Sequence, residues 1–114
     1  MSLKINTKNW ILVPPQLVPF SFGDEPLHSG VFASLQCLVA LGDTPISITW
    51  TFHGRKLSHQ TDVMTQKLGD KMSILSIGSV NAGHSGNYTC TARNAAGSAN
   101  YTARLKVYGK IQTS

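Results

Sequence analysis

Between Ile46 and Phe52 the chain alternates without a break: Ile46, Ile48, Trp50 and Phe52 are apolar, and Ser47, Thr49 and Thr51 are polar. A period of two marks a strand with one face buried. The same test predicts strand B over Val31–Val39, with Leu35, Cys37 and Val39 inward and Ser34, Gln36 and Leu38 outward. It predicts strand E over Met72–Ile77, with Leu75 and Ile77 inward and Met72, Ile74 and Ser76 outward. Strand D falls near Val63–Lys67, where the pattern does not decide which side faces in. Strand F is expected over Asn87–Asn94 and strand G from Ser98 to Val107. Pro14-Pro15 opens an edge strand A running through Leu17, Val18 and Phe20, because proline cannot donate to a ladder and is tolerated at an edge. Turn signals stand between these runs: Gly23 to Gly30, His53-Gly54 and Gly69-Asp70. No stretch carries helical periodicity. Seven short strands separated by turns read as an all-β antiparallel sandwich.

Four residues narrow the sandwich. Cys37 and Cys90 are the only cysteines, Trp50 follows the first on strand C, and Tyr88 stands two residues before the second. An immunoglobulin-like sandwich uses these types at these places: an inter-sheet disulfide, a tryptophan packed on it and a tyrosine corner beside the second cysteine. Trp50, Tyr88 and Leu75 are therefore core signature positions. Strands A, B, E and D form one sheet in this plan, and C, F and G the other. The alternative, two unrelated buried thiols, leaves the Trp and Tyr spacing without a reason. The loop closed by a Cys37–Cys90 bond is long enough to add about 4 kcal/mol by restricting the unfolded chain. A disulfide also places the chain in an oxidising, extracellular setting.

At 114 residues the chain suits one domain. Residues 14–108 are assigned to it, 1–13 to a tag or linker without clear period, and 109–114 to a C-terminal tail. The start lacks the apolar core of a secretion signal, which leads to the expectation of a piece from a longer extracellular chain. The net charge of +5 is spread out, with no run of five basic residues, so no nucleic-acid partner is expected. No apolar run reaches membrane-span length, so no membrane insertion of this piece is expected.

Alternation also sorts the surface. Leu38, Met72 and Ile74 are apolar residues on the outer ABED face, and either scatter singly or join into a patch of the kind that marks interaction surfaces. With Gln36, and with Met64 and Gln66 on strand D, they form the candidate interface. Asn87-Tyr88-Thr89 and Asn100-Tyr101-Thr102 match the N-glycosylation pattern, which marks acceptor sites that are used or left bare. Both asparagines are expected to point outward from the CFG sheet. Sugar on Asn87 and Asn100 would shield that sheet and leave ABED free.

No catalytic or cofactor constellation is present in the sequence. The nucleophile-elbow motif is absent, acidic residues total only five, and His28, His53, His59 and His84 lack metal-ligand spacing. Each histidine is expected at the surface. No metal, no cofactor and no enzyme activity is expected.

Around the second cysteine the chain reads Leu75-x-Ile77-x-x-Val80-x-x-x-His84-x-Gly86-x-Tyr88-x-Cys90-x-Ala92-x-Asn94-x-x-Gly97. This resembles the E–F–G signature of I-set immunoglobulin domains of adhesion receptors. His84 departs from it: the family usually carries Asp there, paired with a basic residue on strand D. The resemblance leaves that pair open and admits either a neutral hydrogen-bonded His84 or a pH-sensitive one. The stretches Pro14-Pro15-Gln16-Leu17-Val18-Pro19-Phe20-Ser21-Phe22-Gly23-Asp24-Glu25-Pro26 and Gly42-Asp43-Thr44-Pro45-Ile46-Ser47-Ile48-Thr49-Trp50, with Ala82 to Cys90, are similar to the Dscam (Down syndrome cell adhesion molecule) family. The similarity runs from Pro14 to Val107 and is greatest to the seventh immunoglobulin domain of arthropod members and of shortened Dscam-like proteins. It implies a splice-variable domain of a cell-surface or secreted protein that pairs with the same isoform, serving neuronal self-recognition and self-avoidance, with an immune role for secreted forms. On that expectation two copies meet about a two-fold axis through ABED. Two other functions stay open at this point: a heterophilic receptor working through its end loops, and a spacer in a receptor rod.

Overall fold

The computed structural model describes residues 4–6, 9–23, 26–57 and 62–108. In chain order the strands are β1 (Lys4–Asn6), β2 (Asn9–Ile11), β3 (Gln16–Leu17), β4 (Leu27–His28), β5 (Ala33–Leu41), β6 (Ser47–Phe52), β7 (Arg55–Lys56) and β8 (Val63–Leu68). They continue with β9 (Met72–Ile77), β10 (Gly86–Asn94), β11 (Gly97–Leu105) and β12 (Val107–Tyr108). One 3₁₀ turn, Ala82–His84, is the helical backbone among the described residues.

Two four-stranded sheets face each other. Their orders are β3-β5-β9-β8, which is A-B-E-D, and β11-β10-β6-β7, which is G-F-C with a short C′ at its edge. The expected sheets are both present. The Cys37–Cys90 disulfide joins β5 to β10 across the core, and both half-cystines are fully buried. Trp50, Leu75 and Tyr88 lie in the same core cluster. On β6 and β9 the alternation holds: Ile46, Trp50, Leu75 and Ile77 are buried, while Ile48 and Phe52 are half-buried and pack against the core. The buried indole Nε1–H of Trp50 donates to Ser73 Oγ at 2.9 Å. That bond accounts for a buried serine on the inner face of β9, since an unpaired indole N–H in the core is costly.

Several boundaries differ from expectation. Strand A is shorter than predicted, because the ladder of β3 on β5 shifts register after Gln16. The chain then crosses sheets: β4, inside the stretch read as a turn, pairs in parallel with β12. Strand B starts two residues later than predicted and runs on to Leu41. After the His53-Gly54 turn, β7 adds an unpredicted edge to the C strand. Lys106 interrupts strand G between β11 and β12. Ahead of Pro14, the segment read as aperiodic contains an antiparallel hairpin, with Lys4 opposite Ile11 and Asn6 opposite Asn9. The expected surface position of His59 and the tail 109–114 lie outside the described residues.

The stretch between the hairpin and β3 is tied to the sandwich by polar contacts. Buried Asp43 accepts the Val13 N–H on Oδ2, and its own N–H donates to the Val13 carbonyl at 3.0 Å. Asn94 Nδ2 donates to the carbonyls of Val13 and Asp43 at 2.8 and 2.9 Å. The Asn94 Oδ1 meanwhile accepts from Ala96 and Gly97 and shapes the β10–β11 turn.

Candidate recognition surface

The outer face of the β3-β5-β9-β8 sheet is a grid fixed by register. Leu38 lies opposite Met72, and Met72 opposite Leu68. Gln36 and Gln66 flank Ile74 in the next row, and Ser34, Ser76 and Met64 make the third. Leu38, Met72 and Ile74 are thus contiguous rather than scattered. They are half-buried by their neighbours, whereas Met64 is 68% exposed. Gln36 and Gln66 are both exposed.

Two apolar members were not singled out from the sequence. Leu68 completes the Leu38–Met72 row; it stands two residues after Gln66, so the same alternation reaches it once β8 is known to extend that far. Phe32 precedes buried Ala33 and is 63% exposed, the next outward position beyond Ser34 by alternation. The facing of strand D was undecided in the sequence because its inner side is polar. Val63 is buried, but Thr65 and Lys67, on the same side, overhang the edge of the partner sheet and stay exposed. Lys67 Nζ reaches over to donate to the Ile46 carbonyl at 2.7 Å. An inward-pointing lysine on an edge strand also discourages strand addition by another chain.

The outer face of the other sheet has a different composition. Its rows pair Ser47, Arg93 and Ser98; Thr49, Thr91 and Asn100; and Lys56, Thr51, Thr89 and Thr102. Asn87 lies opposite Arg104 in the row beyond these. The Thr89 and Thr102 hydroxyls are 2.6 Å apart and bonded. Asn87 and Asn100 are both exposed on this face, where the sequence placed them.

The corner that leads from one sheet to the other is built around His84. The Asn81 side chain accepts from Gly83 N–H at 2.8 Å, and His84 Nδ1 accepts from Asn81 N–H at 2.9 Å, a reciprocal capping box. Because Nδ1 is an acceptor, the ring proton sits on Nε2 and is donated to Asp62 Oδ2 at 2.7 Å. His84 is therefore held through both ring nitrogens. It is buried, which corrects the expectation of a surface position. The corner pair survives with its polarity exchanged: the carboxylate stands just ahead of β8 and the nitrogen heterocycle beside the tyrosine. Tyr88 O–H donates to the His84 carbonyl at 2.6 Å. Burial first, and the nearby Asp62 charge second, push the Tyr88 phenol up to about 12. Gly86 has φ +147, and a Cβ there would collide with the His53 ring, so the corner requires glycine.

This framework defines the class. A family model described as "Immunoglobulin domain" matches residues 14–94, and the chain belongs to that family, which is non-enzymatic in the cell adhesion molecules it resembles. Within it, the similarity is to Dscam. The chain is 43% identical to the Dscam1 Ig7 domain, isoform 5, covering 83% of this chain and 97% of that one with a TM-score of 0.80. It is 40% identical over 98 residues to the cell adhesion molecule Dscam1 of Drosophila melanogaster, and 37% identical over 97 residues to the human cell adhesion molecule DSCAM. In both cases 85% of this chain is covered but only 5% of the relative's length. A structure of the eight N-terminal immunoglobulin domains of a DSCAM isoform aligns over 91% of this chain and 15% of its own, at 35% identity and a TM-score of 0.80.

Proposed function

We propose that this domain is an extracellular homophilic recognition module: two copies of the same isoform pair about a two-fold axis through their outer β3-β5-β9-β8 faces, in the service of neuronal self-recognition and self-avoidance. The observation that carries the reading is the contiguous apolar grid on one outer face. Homology to Dscam adhesion molecules supports it, as does the placement of both sequons on the opposite sheet.

The grid suits pairing with its own copy. An axis crossing the strands at the central row sets Ile74 against its symmetry mate and each glutamine amide against its own copy. Primary amides are self-complementary, since each donates and accepts. The same operation lays the Leu38–Met72–Leu68 end over the Met64 and Phe32 end of the other molecule, twice. An isoform with a charge on the axis would meet that same charge and be rejected.

Three strands at about 4.8 Å spacing and three outward positions on each fall well short of the roughly 800 Å² per partner of a standard stable interface. Pairing of a single domain is therefore weak, and a longer receptor gains strength from several such contacts.

Sedimentation equilibrium tests this. The native domain should dimerise with rising concentration, and Ile74→Lys should weaken the dimer at least tenfold without unfolding. Gln66→Glu and Gln66→Lys should each be monomeric, yet associate when mixed. A domain that stays monomeric throughout, or a dimer indifferent to Ile74→Lys, would overturn the reading.

A further inference from the structure

Two of the three methionines stand on the outer β3-β5-β9-β8 face, and the register gives them unequal cover. Met72 lies on inner strand β9 between Leu38 and Leu68, and is half-buried. Met64 lies on β8, which ends the sheet, so it has a neighbouring strand on one side only. On that side its row continues with Ser76 and Ser34, whose short side chains do not reach over a thioether. Met64 is 68% exposed, more than any other large apolar residue described. Both cysteines are taken up in the buried disulfide. The Met64 thioether is thus the most accessible reduced sulfur among the described residues, and it stands on the face assigned to pairing.

We propose that Met64 is an oxidation site that regulates pairing: hydrogen peroxide converts its thioether to the sulfoxide, and the oxidised face pairs more weakly. The proposal rests on the homophilic reading above. In the step, a sulfur lone pair attacks one peroxide oxygen. An S–O bond forms, the O–O bond breaks, and the departing hydroxide takes up a proton to leave as water. Sulfur is oxidised by two electrons and peroxide is reduced by two. The product is polar and chiral where the grid had an apolar side chain, and methionine sulfoxide reductases reverse it.

The two-fold arrangement magnifies the change. It lays Met64 over the Leu38–Met72–Leu68 end of the other molecule, where apolar side chains offer a sulfoxide oxygen no donor. Burying an acceptor without a partner is costly. Each pair carries the lesion twice, because the axis generates a second Met64 contact. Pairing in turn covers the sulfur, so the reaction runs on the unpaired domain, which a weak dimer keeps populated. Met72, flanked by leucines on both sides, reacts later.

The test treats the domain briefly with hydrogen peroxide. Peptide mapping by mass spectrometry then assigns each added oxygen, and sedimentation equilibrium reads the dimer. Met64 should gain its oxygen several-fold faster than Met72, and more slowly at concentrations where the domain is paired. The oxidised protein should dimerise at least tenfold more weakly, and the two reductases, one for each sulfur epimer, should restore it. In Met64→Leu, with its own untreated dimer as the reference, the same treatment should change nothing. Three results would overturn the proposal: Met72 oxidising as fast as Met64, an oxidised domain that pairs as strongly as before, or a Met64→Leu dimer that peroxide weakens as much as the native one. An untreated domain that never dimerises would remove the homophilic reading and this one together; a native dimer indifferent to oxidation would remove this one alone.

Discussion

The two outer faces of this sandwich are built on the same lattice and carry opposite chemistry. On β5, β9 and β8 the outward positions include Leu38, Met72, Leu68, Ile74 and Met64, broken by two glutamines. On β6, β10 and β11 they are serines, threonines, asparagines, Arg93 and Arg104, without one large apolar side chain. Both faces cover the same core and are bound by the same disulfide, so folding does not demand the difference. Threonine on the second sheet satisfies strand propensity and meets water at no cost. A methionine–leucine row on the first loses free energy for as long as it faces water, about 25 cal/mol for each Å² left exposed. The contrast therefore points to a surface that one face meets and the other does not.

Breaking the frame that holds both faces should have the largest effect. Replacing Cys37 and Cys90 together by alanine removes the single covalent link between the sheets. We expect a loss of about 4 kcal/mol from the unfolding free energy, read from urea denaturation. Any surviving self-association of that variant should fall with the folded fraction, since both outer faces depend on one core. A near-native midpoint would mean that packing around Trp50 and Leu75 alone holds the sheets.

The corner that joins the sheets offers a second, milder lever. The folded state holds the Tyr88 proton up to about pH 12, while an unfolded tyrosine releases it near 10. Folded protein thus binds more protons than unfolded protein between those values, and stability falls as pH rises through that window. Below about pH 10 the contribution is complete; by pH 12 roughly 2–3 kcal/mol should be gone. Tyr88→Phe should be less stable at neutral pH, through loss of the bond to the His84 carbonyl, and should lack this alkaline step. Unfolding midpoints at pH 8, 10 and 11.5 for both proteins check it; identical slopes would remove Tyr88 as the cause.

What could be read in advance follows from the range of the forces involved. β9 was legible to the residue because alternation is local and both of its neighbours are strands. β4 was not, because two residues carry no period and its pairing with β12 is settled some eighty positions away. The side of β8 was hidden for a different reason: Thr65 and Lys67 face inward where no partner sheet lies over them. Buried Ser73, Asp43 and His84 look like surface residues until Trp50, Val13 and Asp62 are brought to them by the fold. The interface candidates Gln36, Leu38, Met72 and Ile74 emerged from parity, whereas Met64 and Gln66 were added on a strand whose facing the pattern left open. Leu68 and Phe32 lay just beyond the predicted strand ends or their first outward positions.

The smallest expected effect is also the one that separates the faces most cleanly. Asn87→Gln and Asn100→Gln each abolish one glycosylation pattern. In protein from a glycosylating host, each should lower the mass by one glycan if its site is used. Neither should change self-association, because both asparagines lie on the sheet opposite the apolar grid. Thr91→Lys, placed at the centre of that polar sheet, should be equally silent, although it adds the same charge that Ile74→Lys adds to the other face. Comparing these two lysines at equal concentration isolates the face from the charge. If Thr91→Lys weakened the dimer as much as Ile74→Lys, the loss would be general repulsion between domains that already carry +5, and the apolar grid would lose its claim.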